Sequence, residues 1–112
     1  MIKVNVHRDP QGRIVSFRVH GHAGFANAGN DIICAAVSIL VQNGVNSIET
    51  LLNVRIPDAS RDGFVECEIP SLEGRVSDQV QLLLESMVYG LRSLAEEYPK
   101  HVSVADKRRI EL

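Results

Sequence analysis

The chain opens with two short segments in which apolar and polar residues alternate, as they do in β-strands with one buried face. The residues predicted to face the core are Ile2, Val4, Val6, Val15, Phe17 and Val19. The turn-forming sequence Asp-Pro-Gln-Gly, at positions 9–12, lies between the two segments. The pattern therefore predicts a β-hairpin.

Two longer segments carry apolar residues at the 3.6-residue spacing of amphipathic helices. In the first segment these residues are Ile33, Ala36, Val37, Leu40, Val41, Val45 and Ile48. In the second they are Val80, Leu83, Leu84, Met87, Val88, Leu91 and Leu94. Asn30 or Asp31 can cap the first helix, and Ser77 or Asp78 can cap the second. The second helix is predicted to end at Tyr98-Pro99, because the residue before a proline disfavours the helical conformation.

Three further strands are predicted in the remaining sequence. A short one covers Val54 to Ile56, and a longer one runs from Phe64 to Ile69 with Cys67 on its inward face. An edge strand is predicted from His101 to Ala105. Two helices on one face of a mainly antiparallel sheet would bury both apolar stripes. The order strand, strand, helix, strand, strand, helix, strand thus predicts a two-layer α+β fold, in one domain over residues 1–112.

Composition is that of an ordinary globular protein, since 45% of the 112 residues are apolar and 23% are charged. The net charge of −2 disfavours direct nucleic-acid binding, which usually goes with a strong basic excess. No secretory signal pattern opens the chain, and the longest nearly apolar run, Ile32 to Val41, is about half a membrane span. We therefore expect a cytoplasmic protein with no membrane partner, whose cysteines Cys34 and Cys67 are reduced.

Candidate chemistry is concentrated at the start of the first helix. Cys34 lies in the first turn, three residues after Asp31, and it follows a glycine-rich loop that begins at Gly21-His22. Half-ionising an ordinary thiol at pH 7 requires roughly 2 kcal/mol, and a helix N-terminus supplies at most about that much. The Asp31 carboxylate opposes the ionisation. A group that accepts the proton is therefore needed, and His22 is the nearest candidate in sequence.

The residues around this site each have more than one interpretation. Cys34 is either a nucleophile or a packing residue of an apolar helix. Asp31 can hold the imidazole of His22, cap the helix, or do both. Ser38, one turn after Cys34, is either a supporting group or a hydroxyl satisfied within its helix. The N–H groups of Cys34 and its neighbours can face the oxyanion of an attacked carbonyl. Phe25 is either a loop anchor or part of a pocket wall.

Other chemistries fit the sequence less well. A phosphatase loop needs an arginine six residues after the cysteine, where Leu40 stands, and no C-x-x-C motif supports dithiol redox cycling. Acceptable zinc ligand types occur at His20, His22, Asp31 and Cys34. They would have to come from one strand end and one helix start, so we expect no metal and no cofactor. Cys67 is predicted to be a core residue, and His20 a solvated surface residue.

The sequence carries Gly-His-Ala at positions 21–23 and Asp-Ile-Ile-Cys-Ala-Ala-Val-Ser at positions 31–38, two motifs at a fixed separation. These motifs resemble those of the ribosomal-processing cysteine protease (Prp) family. The resemblance implies a homodimeric cysteine endopeptidase that removes the N-terminal extension of the twenty-seventh protein of the large ribosomal subunit, cutting after an aromatic residue. Carried over residue by residue, it implies that Cys34 is the nucleophile and His22 the general base, with supporting roles for Asp31 and Ser38.

Two alternative functions belong to other classes. One is a non-enzymatic, ribosome-associated module that holds an immature ribosomal protein or binds rRNA, for which a basic stripe would be needed. The other is a zinc-binding or thiol-sensing domain built on the same cysteine and histidine residues.

Overall fold

A computed structural model describes residues 1–22, 24, 31–61 and 63–107. Its elements are β1 (Ile2–Arg8), β2 (Ile14–His20), α1 (Ile32–Leu52), β3 (Asp58–Arg61), β4 (Phe64–Glu68), α2 (Gly74–Glu97) and β5 (Val102–Lys107). Phe25 and the alternative cap Asn30 lie outside the described residues. The predicted order of elements is confirmed.

The five strands form one sheet in the order β3-β4-β2-β1-β5. β1 pairs with β2, β2 with β4 and β4 with β3, all antiparallel, whereas β1 pairs with β5 in parallel. The sheet is therefore mixed but mainly antiparallel, as predicted, and the C-terminal strand lies at its edge. Apolar residues of both helices and of one sheet face form a single core, so the two-layer α+β prediction is confirmed.

The predicted strand at Val54 to Ile56 is wrong, because the strand in this part of the chain is β3, and all of its side chains are exposed. Ile56 is buried, but its N–H donates to the Glu49 carboxylate at 3.3 Å instead of to a strand. The apolar pattern at Val54 to Ile56 reflects the burial of Ile56 and does not reflect pairing in a sheet. β3 was missed because an exposed edge strand shows no alternation of apolar and polar residues.

The predicted inward position of Val15 is also wrong. Arg8 pairs with Ile14 while His7 pairs with Ser16, so β2 contains one extra residue at this point. Such a β-bulge changes which residues face the core. As a result Ile14 is buried and Val15 is 41% exposed.

The helices confirm one predicted cap and correct the other. Asp31 is the N-cap of α1. α2 begins at Gly74, one turn before the predicted start, and neither Ser77 nor Asp78 caps it. The apolar stripe starts only at Val80, so periodicity could not detect the first turn of α2. The helix ends at Glu97, immediately before Tyr98-Pro99, as predicted.

α1 and α2 contact each other directly through two glycines. A Cβ on Gly44 would lie 2.8 Å from Sδ of Met87, and one on Gly90 would lie 2.9 Å from a methyl of Leu40. Gly44 therefore costs helix propensity but permits the close packing of the two helices. Among the described residues, α1 is the helix long and apolar enough to cross a membrane, a test that the core helix of a domain also passes.

A cluster of charged residues closes the sheet end opposite to the start of α1. The guanidinium of Arg8, which is 5% exposed, donates to Glu85 and Asp106 at 2.7 Å and to the Gly12 carbonyl at 2.8 Å. Arg92 forms a further ion pair with Asp106. This cluster joins β1, α2, β5 and the first hairpin turn.

Candidate active site

A pocket of about 310 Å³ lies at the other end of the sheet, beside the first turns of α1. Cys34, His22 and Ser38 all line it. Its apolar wall is formed by Ile2, Val19, Val37 and Val65. The fold therefore brings three of the four predicted site residues to one cavity, because β2 ends and α1 begins at the same end of the sheet.

Cys34 is the third residue of α1 and is partly buried. The side chain of Asp31 caps this helix, since its Oδ1 accepts the N–H groups of Ile33 and Cys34, each at 3.0 Å. The thiol thus lies at the positive end of the helix dipole, which favours a negative group there. The capping carboxylate provides part of that negative charge and reduces the benefit to the thiolate.

The predicted oxyanion role of the Cys34 N–H requires a correction. This N–H already donates to Asp31 at 3.0 Å, so it is committed to the helix cap. The sequence showed that Asp31 could cap the helix, but not that the cap would use the donor assigned to an oxyanion. Of the roles considered for Asp31, the structure therefore supports that of the helix cap.

His22 follows the end of β2 and is exposed at the mouth of the pocket. The preceding residue, Gly21, donates its N–H to the Gly63 carbonyl at 2.9 Å. This hydrogen bond fixes the main chain before His22 to the β3–β4 turn. Ser38 is exposed on α1, one turn after Cys34.

Several residues of the pocket were not identified as site residues from the sequence. His20, predicted to be a plain surface residue, lines the pocket, and its Nε2 lies 3.4 Å from Nδ2 of Asn5. Gly63, Arg61 and Phe64 approach from the β3–β4 turn. The dipeptide Asp-Gly at positions 62–63 is a typical hairpin-turn signal and could have predicted a turn here. Its proximity to His22 depends on tertiary structure.

Cys67 has the core position that was predicted for it. It is fully buried and faces the core from β4. Burial, with a smaller contribution from the carboxylates of Asp58, Glu49 and Glu66, raises the pKa of the Cys67 thiol to about 12. Cys67 is therefore a neutral packing residue at physiological pH.

The zinc ligand set considered from the sequence does not assemble. Within the described ranges, no three histidine, cysteine, aspartate or glutamate side chains converge in a way that could hold a metal ion. The pocket offers the thiol of Cys34 and the imidazole of His22 for chemistry that needs no metal.

A cysteine at the start of a helix that lines one pocket with a histidine, in a two-layer α+β domain, is typical of a thiol hydrolase. The model of the family cysteine protease Prp matches residues 1–103. The chain is 33% identical over 107 residues to the ribosomal processing cysteine protease Prp of Bacillus subtilis (strain 168), covering 93% of this chain and 96% of the relative. The chain therefore belongs to the cysteine protease Prp family.

Solved structures agree with this assignment. The crystal structure of an essential ribosomal processing protease Prp from Staphylococcus aureus with a covalently linked product peptide superposes with a TM-score of 0.87. It is 28% identical in sequence and covers 96% of this chain and 100% of its own. A second structure of that S. aureus protease, with a substrate peptide, gives a TM-score of 0.80 at 26% identity, over 96% and 100% of the two chains. The two non-protease alternatives considered from the sequence are therefore set aside.

Proposed function

We propose that this protein is a cysteine endopeptidase that removes the N-terminal extension of the twenty-seventh protein of the large ribosomal subunit. The observation that carries the proposal is the shared pocket of Cys34 and His22, at a helix N-terminus, in a chain that belongs to the Prp family. The relatives that support the substrate are the ribosomal processing proteases of B. subtilis and S. aureus.

In the proposed reaction, His22 is the general base and Cys34 the nucleophile. The imidazole takes the Sγ proton, and the thiolate attacks the scissile carbonyl carbon to form a tetrahedral intermediate. His22 then donates that proton to the leaving amine as the C–N bond breaks, which leaves a thioester on Cys34. Water, deprotonated by His22, hydrolyses the thioester and releases the extension and the free thiol.

Asp31 and Ser38 have supporting roles in this proposal. Asp31 fixes the first turn of α1 and thereby the position of Sγ, through its hydrogen bonds to Ile33 and Cys34. Ser38 lines the pocket one turn further along α1 and offers a hydroxyl to the bound peptide backbone.

The pocket supports cleavage after an aromatic residue. Its wall of Ile2, Val19, Val37 and Val65 is apolar, and its volume of about 310 Å³ accommodates a phenylalanine-sized side chain. Phe64 adds an aromatic ring at the rim, where edge-to-face contacts with a substrate ring are favourable. The structures of the S. aureus protease with substrate and product peptides support a peptide ligand in such a site.

The proposed enzyme is a cytoplasmic homodimer. Ribosomal proteins are substrates of the cytoplasm, and the outer faces of α1 and α2 form an apolar groove of about 560 Å³. Ile32 and Ile39 are 60% and 64% exposed at this groove, and exposed apolar surface of this kind favours association. Sedimentation of the purified chain tests the dimer.

The function is tested with the extended ribosomal protein as substrate and intact-mass spectrometry as readout. We expect the wild-type chain to release the extension at one site, after an aromatic residue. Cys34→Ser and His22→Ala should each leave the substrate intact under the same conditions. Turnover at the wild-type rate by Cys34→Ser would refute the proposal, as would cleavage at many unrelated sites.

A further inference from the structure

The glycine of the β3–β4 turn lies directly against the imidazole of His22. A Cβ built on Gly63 would lie 2.9 Å from Nε2 of His22 and 3.4 Å from its Cε1. Real Cβ atoms essentially never come within 3.0 Å of another heavy atom in this way. Any side chain at position 63 would therefore push the ring away from its present place.

The same glycine also holds the main chain that precedes His22. The carbonyl of Gly63 accepts the N–H of Gly21 at 2.9 Å. On the other side, a Cβ on Gly21 would lie only 2.4 Å from the carbonyl oxygen of Met1. The backbone before His22 is thus enclosed between the start of β1 and the β3–β4 turn.

The β3–β4 turn has its own stabilising contacts. Arg61 pairs with Phe64 across the β3–β4 ladder, and its guanidinium carbon lies 4.6 Å from the centroid of the phenyl ring. The guanidinium of Arg18, on β2, approaches the same ring at 5.8 Å. These cation–π contacts tie the turn to the sheet, so Gly63 is presented to His22 from a supported element.

We infer that Gly63 is a positioning residue of this active site. Because Gly63 has no side chain, the imidazole of His22 can lie against it, and this contact sets the position of the ring relative to Cys34. The inference rests on the proposed function and adds to it the element that aligns the base with the thiol. A general base displaced by about 1 Å can lose on the order of 10²-fold in rate. Gly63 acts through His22, and a methyl group at position 63 should be enough to misalign the pair.

The test compares Gly63→Ala with Gly74→Ala. Both glycines have a left-handed backbone, with φ of +71° and +67°, but a Cβ on Gly74 would meet nothing within 4 Å. Both variants carry the same backbone strain and should lose a similar amount of thermal stability, roughly 5–10 °C in Tm. Only Gly63→Ala also displaces His22, so the pair separates positioning from strain.

For Gly63→Ala we expect kcat to fall about 10²-fold with KM little changed. The pH dependence of Cys34 alkylation by iodoacetamide should also move toward the profile of His22→Ala. Gly74→Ala should keep the wild-type kcat and the wild-type alkylation profile. In the wild-type protein, a nuclear Overhauser effect should connect the His22 ring to the Gly63 Hα protons.

Three results would overturn the inference: wild-type kcat and alkylation in Gly63→Ala, a rise in KM alone, or an absent ring-to-Gly63 Overhauser effect. The last of these is measured on the wild-type protein, so it holds even if Gly63→Ala fails to fold. Failure of the proposed function has a different signature, because wild-type and His22→Ala would then alkylate alike and neither would cleave. If those two differ but Gly63→Ala follows the wild type, only the role of Gly63 is refuted.

Discussion

The two cysteines of this chain are identical side chains in opposite environments. Cys34 lies partly exposed in the first turn of α1 and lines the pocket that also contains His22. Cys67 is fully buried on β4, opposite Phe17 of β2 in the ladder, and keeps its proton to about pH 12. Position in the fold, and not residue type, therefore separates the thiol available for chemistry from the thiol that only packs.

The two cysteines also differ in the local structure that surrounds each thiol. Helix geometry and a capping carboxylate place Cys34, and both are local in sequence. Cys67, by contrast, lies within a strand and has no exposure to solvent. A reactive thiol thus requires a position where the core ends.

The largest expected effect is that removing Cys34 abolishes activity, whereas removing Cys67 lowers stability. Cys34→Ala should lower the cleavage rate roughly 10⁴-fold or more, since loss of the proposed nucleophile removes the covalent route. Its free energy of unfolding should change by less than about 1 kcal/mol, because Cys34 is only partly buried at the edge of the core. Cys67→Ala should keep most of the activity but lose about 1–1.5 kcal/mol through the cavity it leaves. Peptide cleavage and urea denaturation measure the two quantities, and comparable activity in both variants would contradict the contrast.

Alkaline pH should destabilise the protein through Cys67. An unfolded thiol loses its proton near pH 9, whereas Cys67 in the folded protein keeps it to about pH 12. Between these values the unfolded state binds fewer protons, so the free energy of unfolding falls as pH rises, by up to about 1.4 kcal/mol per pH unit. Below pH 9 the contribution is fully present.

The matched control for this effect is Cys67→Ala, which lacks the titrating group. Urea denaturation of both proteins between pH 8 and pH 11 should give a steeper loss for the wild type. Parallel curves would show that Cys67 does not retain its proton in the folded state.

The smallest effect concerns the cap that lies beside Cys34. Asp31→Ala should cost about 1 kcal/mol of stability, whereas Asp31→Asn should cost little, because asparagine caps helices as well as aspartate does. Asp31→Asn also removes a negative charge next to the thiol, so Cys34 should be alkylated faster at a given pH. Denaturation and iodoacetamide kinetics on both variants test this, and slower alkylation in Asp31→Asn would mean that the carboxylate assists the thiolate.

Sequence patterns predicted most of the fold where burial and periodicity coincide. The apolar stripe of α2 and the alternation in β1 are examples, because a single buried face repeats along each element. The patterns failed at Val15, where a bulge shifts the register, and at β3, which is exposed throughout. Both depend on which strands become neighbours, and that information is not local.

The site divides in the same way. The place of Cys34 near a helix start and the capping role of Asp31 could be predicted, since both lie within one turn of helix. The contact of Gly63 with His22 joins segments far apart in the sequence, so no local pattern indicates it. Geometry also showed that the Cys34 N–H is already used by the cap.

The parallel pairing of the last strand with the first has a consequence for biosynthesis. Ile2, which lines the active-site pocket, is aligned with Val102 on β5. Pairing across such a long sequence separation is slow and cannot begin before the C-terminal strand exists. A chain still being translated therefore lacks one neighbour of the strand that carries Ile2, and this strand is paired on both sides only after synthesis reaches β5.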